Sequence, residues 1–146
     1  MRGASIRIFL CIFVGVLVGA AWMIFADGYM YNTHHARHVN VPPFEWTYAM
    51  PGLAMTLVML MLNVTSPRQM HGGGMGDGDE LRMAICIRIW VFVMIALGFV
   101  CIGCAVWIAS TVFSIKVTPY TWTGGALVIH TCLTMFAGLV YFMRSR

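Results

Sequence analysis

Charged residues are scarce in this sequence. Only 10% of its 146 residues are Asp, Glu, Lys or Arg, whereas a typical soluble domain has about 25%. So few charges cannot cover a surface in water, which argues against a soluble globular enzyme. A disordered chain is excluded as well, because such chains are poor in apolar residues and 60% of this one is hydrophobic. The composition therefore predicts an integral membrane protein.

Basic patches and reaction centres are also missing from the sequence. The nine Lys and Arg residues are scattered among long apolar runs and form no basic face, so we predict no nucleic-acid partner. The apolar runs contain no acid, and their serines and threonines have no base nearby. The glycine-rich stretch at 72–78 lacks the Gly-Lys-Ser/Thr of a phosphate-binding loop. We therefore expect a protein that is not an enzyme and needs no cofactor.

Long charge-free runs dominate what is present. About 20 apolar residues cross a ~30 Å hydrocarbon core as a helix, and only a helix satisfies its own backbone within one segment in lipid. The sequence thus predicts an all-α, integral membrane four-helix bundle that forms a single domain over residues 1–146. The expected spans are about 8–26, 47–64, 86–115 and 123–143.

Basic residues near the spans predict the orientation, because cytosolic loops carry an excess of Lys and Arg. The side shared by both termini and the middle loop has seven arginines: Arg2, Arg7, Arg68, Arg82, Arg88, Arg144 and Arg146. The opposite side has only Arg37 and Lys116. We therefore predict that both termini are cytosolic. Aromatic residues on the opposite, lumenal side predict an interfacial belt: Tyr29, Tyr31, Phe44, Trp46, Tyr48, Tyr120 and Trp122.

The first predicted span contains a GxxxG motif at Gly15 and Gly19. Two glycines one turn apart allow another helix to approach closely. We expect this pair to pack against another helix of the same bundle. A contact with a partner protein is the alternative.

Two ionisable residues stand out within or beside the spans. His130 lies well inside the fourth span, and such groups usually face protein or a cavity. We expect a neutral imidazole bonded to neighbouring backbone, although the strip that His130 forms with Thr134 and Gly138 could accept a polar group from another helix. Asp27 follows the first span, where we expect a solvated carboxylate at the interface.

Two patterns raise the question of a metal. His34, His35 and His38 form an HHxxH cluster in the predicted lumenal loop, and three imidazoles could hold a metal or protonate in an acidic lumen. Met55 and Met59 stand one turn apart, and paired thioethers can ligate Cu(I). Copper transporters combine such a pair with a GxxxG. We expect a solvated loop for the histidines and ordinary packing for the methionines, since Met fills apolar helices freely.

An ordered set of short segments resembles one known family. The segments are Gly15-Val16-Leu17 followed by Trp22 and Asp27, Asn63 at the end of the second span, Arg88-Ile89-Trp90-Val91-Phe92, Trp107-Ile108 and Gly138-Leu139-Val140-Tyr141-Phe142. In order and spacing they are similar to the transmembrane protein 50 family, over nearly the whole chain.

That resemblance implies a small four-span protein of the endosome, Golgi and vacuole–lysosome membranes. The family includes the fungal vacuolar protein sorting-associated protein 68, which acts with a second small four-span protein in transport from late endosome to vacuole. No catalytic residue carries over. Asp27, Arg88 and Trp90 match the family pattern, and we expect them to be structural or partner-contact positions. The alternatives are an oligomeric small-solute or copper transporter, and a subunit of a larger membrane complex.

Overall fold

The computed structural model describes residues 2–35, 44–64, 78–113 and 121–144. These residues form four α-helices. They are α1 (Arg2–His35), α2 (Met50–Val64), α3 (Gly78–Ile108) and α4 (Thr121–Arg144). A 3₁₀ turn at Trp46–Ala49 leads into α2, and a π-helical turn at Ala109–Phe113 continues α3. The described residues contain no strand. All four helices are long and apolar enough to cross a membrane, which confirms the prediction of an all-helical, four-span protein in a lipid bilayer.

Helix α1 is longer than the sequence predicted. The expected span stopped at Ala26, but the helix continues to His35. No proline interrupts this extension, and Gly28 lies buried against α4, where an ideal Cβ would come within 2.6 Å of the Ala126 Cβ. The charge-free run therefore marks the most apolar part of α1 but not its end. His34 lies in the last helical turn instead of a loop.

Helix α3 starts at Gly78, ahead of the span predicted from about residue 86. At its other end the backbone widens into the π-helical turn. The hydroxyl groups of Ser110 and Thr111 donate hydrogen bonds to the Trp107 carbonyl at 2.9 and 2.7 Å. This turn packs against Gly124 of α4, where an ideal Cβ would lie 3.0 Å from the Phe113 Cβ.

The apolar core lies between α2, α3 and α4. Its buried members are Met55, Met59, Leu62, Val91, Met94, Met135 and Phe142. Half of the most apolar stretch of α4 is buried, but only 6% of the corresponding stretch of α1. Helix α1 packs mainly along α4. Few residues of its apolar stretch are therefore fully buried, and several large apolar side chains of α1, such as Phe9, Ile12 and Val16, face outward.

Candidate functional site

His130 of α4 lies where three helices meet. Its side chain is fully buried. The ring centroid is 4.8 Å from that of Trp22 and 5.3 Å from that of Phe25, both on α1. On the α2 side the ring faces Gly52, where an ideal Cβ would lie only 2.7 Å from the imidazole Cδ2. The imidazole thus fills a space that the missing side chain of Gly52 creates.

The sequence led us to expect hydrogen bonds between this imidazole and neighbouring backbone groups. Neither ring nitrogen has a hydrogen-bond partner among the residues that the structure describes. Backbone groups of Ala21 and Gly52 lie near the ring without reaching hydrogen-bond geometry. An unmade hydrogen bond of this kind costs about 1–3 kcal/mol. Packing against the two aromatic rings, with the backbone of Ala21 and Gly52 close to the imidazole, therefore holds His130 in place.

The strip of α4 that follows His130 makes one hydrogen bond within its helix and one close contact with α2. The Thr134 hydroxyl donates a 2.8 Å hydrogen bond to the His130 carbonyl within the same helix. Gly138 lies against Met59 of α2, with an ideal Cβ only 2.7 Å from the Met59 Cγ. Thus Thr134 is used inside α4, and Gly138 allows α2 and α4 to meet.

An aromatic cluster extends from His130 toward the side that the arginines predict to be lumenal. Its members are Trp22, Phe25, Tyr29, Phe44, Tyr48 and Phe113. Phe44 contacts Phe25, Tyr29 and Tyr48 at centroid distances of 6.1, 5.1 and 5.8 Å. Tyr48 then contacts Phe113 at 5.5 Å. These four pairs meet edge to face, an arrangement worth about 0.5–1.5 kcal/mol per pair beyond surface burial.

Three residues of the predicted interfacial belt belong to this cluster. Tyr29, Phe44 and Tyr48 are partly buried, and the Phe44 ring contacts both tyrosines. The cluster joins α1 to the 3₁₀ turn and to the π-helical turn. It therefore connects three segments that are distant in the sequence.

Asp27 has a partner that sequence reasoning missed. The Trp122 Nε1–H donates a 2.8 Å hydrogen bond to the Asp27 Oδ2. Next to it, the Thr123 hydroxyl donates to the Gly28 carbonyl at 3.3 Å. Together these bonds tie α1 to the start of α4. The available signal was that Asp27 and Trp122 lie at the same predicted face of the membrane.

Gly15 and Gly19 do not pack within the bundle. Both are exposed, and no described atom lies within 4 Å of an ideal Cβ at either position. The buried residues of α1 lie further along the helix, at Ala21, Gly28 and Asn32. The expectation of packing inside this bundle is therefore wrong, and the GxxxG motif lies on the outer surface.

Two further residues of the family pattern lie on the surface of α3. Arg88 is exposed, and Trp90 is 42% exposed. The structure does not bring them together with His130 or with the GxxxG face. Their predicted role at a partner contact stays a prediction.

The metal patterns remain separate from this site. Within the described residues, no three His, Cys, Asp or Glu side chains are grouped in a way that could hold a metal. His38 and the side chain of His35 lie outside the described set. Met55 and Met59 are buried at 0% and 4% exposure in the core. Their position fits the expected packing role.

Helix number, length and composition define the class as a small four-span α-helical membrane protein. Residues 1–146 match the model of the Uncharacterised protein family (UPF0220), and the chain belongs to that family. It is similar to the Transmembrane protein 50 homolog of Dictyostelium discoideum, with 28% identity over 140 residues. That match covers 90% of this chain and 85% of the relative. The resemblance predicted from the sequence is confirmed. No solved structure matches.

Proposed function

We propose that this chain is a non-enzymatic endomembrane protein that binds a second small multi-span membrane protein and assists protein sorting from late endosome to vacuole or lysosome. The observation that carries the proposal is the outer face of α1. Only 6% of the apolar stretch of that helix is buried, and its two closely spaced glycines face outward.

The physical basis is the way helices associate in lipid. Lipid tails are as apolar as leucine, so helices gain little from hydrophobic burial and associate through close backbone packing. Gly15 and Gly19 offer that packing on one stripe. Cys11 and Met23 continue it one turn before and one turn after, and both are exposed. A second helix with small residues at matching positions fits this stripe.

The cellular setting of the proposal is supported by the family and by the arginine pattern. Relatives of the transmembrane protein 50 type imply endosomal, Golgi and vacuole–lysosome membranes. The seven-to-two distribution of basic residues predicts cytosolic termini. In that orientation the aromatic cluster and the Asp27–Trp122 bond lie toward the lumen.

Affinity purification in mild detergent tests this proposal. We expect one small multi-span membrane protein to copurify with the wild-type chain. The double variant Gly15→Leu/Gly19→Leu should lose it by about tenfold or more, because bulky side chains keep the backbones apart. Gly103→Leu is the matched control, since Gly103 is also exposed and no described atom lies within 4 Å of its ideal Cβ.

Cargo sorting is the second readout of the same experiment. Cells with the double variant should missort late-endosomal cargo as deletion cells do, whereas Gly103→Leu cells should sort it normally. The proposal would be refuted if no membrane partner copurified and if cells without the protein sorted cargo normally. Equal recovery of the partner with the double variant and with Gly103→Leu would show that the α1 face is not the binding surface.

A further inference from the structure

A groove of about 380 Å³ opens between α1, α2 and α4. It lies on the half of the bundle away from the aromatic cluster. Val14 and Val18 of α1 form one wall, and Leu60 and Val64 of α2 form the other. Tyr141 of α4 lies along the same groove.

The floor of the groove is continuous and apolar. It consists of Met59 and Gly138, which are in direct contact because the glycine has no side chain. Two threonines also line the groove, but their hydroxyls donate within their own helices. Thr56 donates to the Gly52 carbonyl at 3.0 Å, and Thr134 donates one turn back in α4.

Asn63 provides the polar feature that distinguishes this groove. It lines the groove near the end of α2, on the side that the arginines predict to be cytosolic. Its Oδ1 is buried and accepts no hydrogen bond from any residue that the structure describes. Leaving such a buried atom unpaired costs about 1–3 kcal/mol. The site therefore favours a ligand with a hydrogen-bond donor at this end.

The shape and chemistry of the groove restrict that ligand. From Thr56 to Val64 the groove follows nine residues of α2, which are eight helical rises or about 12 Å apart. None of the described residues that line it is charged, so it offers no ion pair to a phosphate group. A phosphate or ester oxygen is an acceptor and would leave the Asn63 Oδ1 unpaired. A hydroxyl attached directly to an apolar body meets both requirements.

We propose that this groove binds a membrane sterol, whose hydroxyl donates to the Asn63 Oδ1 and whose ring system lies on the Met59–Gly138 floor. A rigid ring system loses little conformational entropy on binding, which favours it over a flexible chain in a groove of this size. The site lies next to the GxxxG face of α1 but is separate from it. The proposal therefore does not depend on the proposed partner contact.

Photolabelling of the purified full chain in nanodiscs with a diazirine sterol tests the proposal. We expect saturable labelling that excess unlabelled sterol competes away and that maps to peptides of α1, α2 or α4 lining the groove. Asn63→Leu should weaken binding by about three- to tenfold, as expected for one lost hydrogen bond. Val18→Trp should abolish it by filling the groove.

Val16→Trp is the matched control, because Val16 is on the same helix, is 63% exposed and does not line the groove. It should label like the wild type, and all variants should keep the wild-type unfolding midpoint within a few degrees. Saturable labelling that survives Val18→Trp would overturn the proposal. So would equal competition by phosphatidylcholine, which would assign the groove to acyl chains, or labelled peptides outside the groove, including those next to a copurified partner helix.

Discussion

Replacement of Gly52 by alanine tests the packing around His130. The new methyl group would lie 2.7 Å from the imidazole Cδ2 and 2.8 Å from Nε2, well inside the about 3.5–4.0 Å of normal contact. The ring cannot move aside easily, because Trp22 and Phe25 occupy its other faces. We therefore expect α2 to shift away from α4, with loss of core contacts.

The magnitude follows from two opposing effects. Overpacking of a filled site costs about 1–3 kcal/mol. Alanine regains up to about 1 kcal/mol over glycine in a helix interior, and less here, because Gly52 is the third residue of α2. The expected net result is a loss of about 1–2 kcal/mol in the free energy of unfolding.

Unfolding in mixed micelles with increasing SDS, followed by tryptophan fluorescence, measures this change. Gly125→Ala is the control, since no described atom lies within 4 Å of an ideal Cβ there, and it should be neutral or slightly stabilising. In a His130→Ala background the Gly52→Ala substitution should cost less than about 0.5 kcal/mol, because the clashing ring is gone. An equal loss in both backgrounds would refute the reasoning.

Two further predictions concern the ends of the bundle and its core. Trp122→Phe removes the hydrogen bond to Asp27 and should lower the free energy of unfolding by about 1 kcal/mol; Trp107→Phe on the exposed face of α3 should change it little, and equal losses would contradict a specific bond. The double variant Met55→Leu/Met59→Leu should leave copper uptake by cells unchanged and cost less than about 1.5 kcal/mol per site, because Leu and Met have similar volumes. Loss of uptake without loss of protein would instead favour the transporter alternative.

The number and type of elements could be predicted from the sequence because lipid imposes a simple rule. A span must be helical and nearly free of charge, so four such runs predict four helices. Helix ends are a different matter. Asp27 looked like the start of a loop, yet a carboxylate at a membrane surface does not break a helix. Within the extension to His35, Gly28 packs closely against α4, a contact that no local pattern contains.

The site around His130 was predictable only in part, because it too depends on contacts between helices that are distant in the sequence. A histidine inside an apolar run is conspicuous in any sequence, so His130 could be selected. Its neighbours on α1 and α2 are distant in the chain, and their contact depends on how the helices pack. Gly15 and Gly19 show the limit most clearly. The motif indicates that a close approach is possible, but not which helix makes it.

The packing of α1 mainly on α4 has a consequence for biosynthesis. Helices are inserted into the membrane in chain order, so α1 enters the bilayer first and its principal partner enters last. Until α4 has been inserted, α1 has few contacts inside the chain, and the contact that closes the bundle has a large sequence separation. A chain that stops before α4 therefore lacks the main packing partner of its first helix.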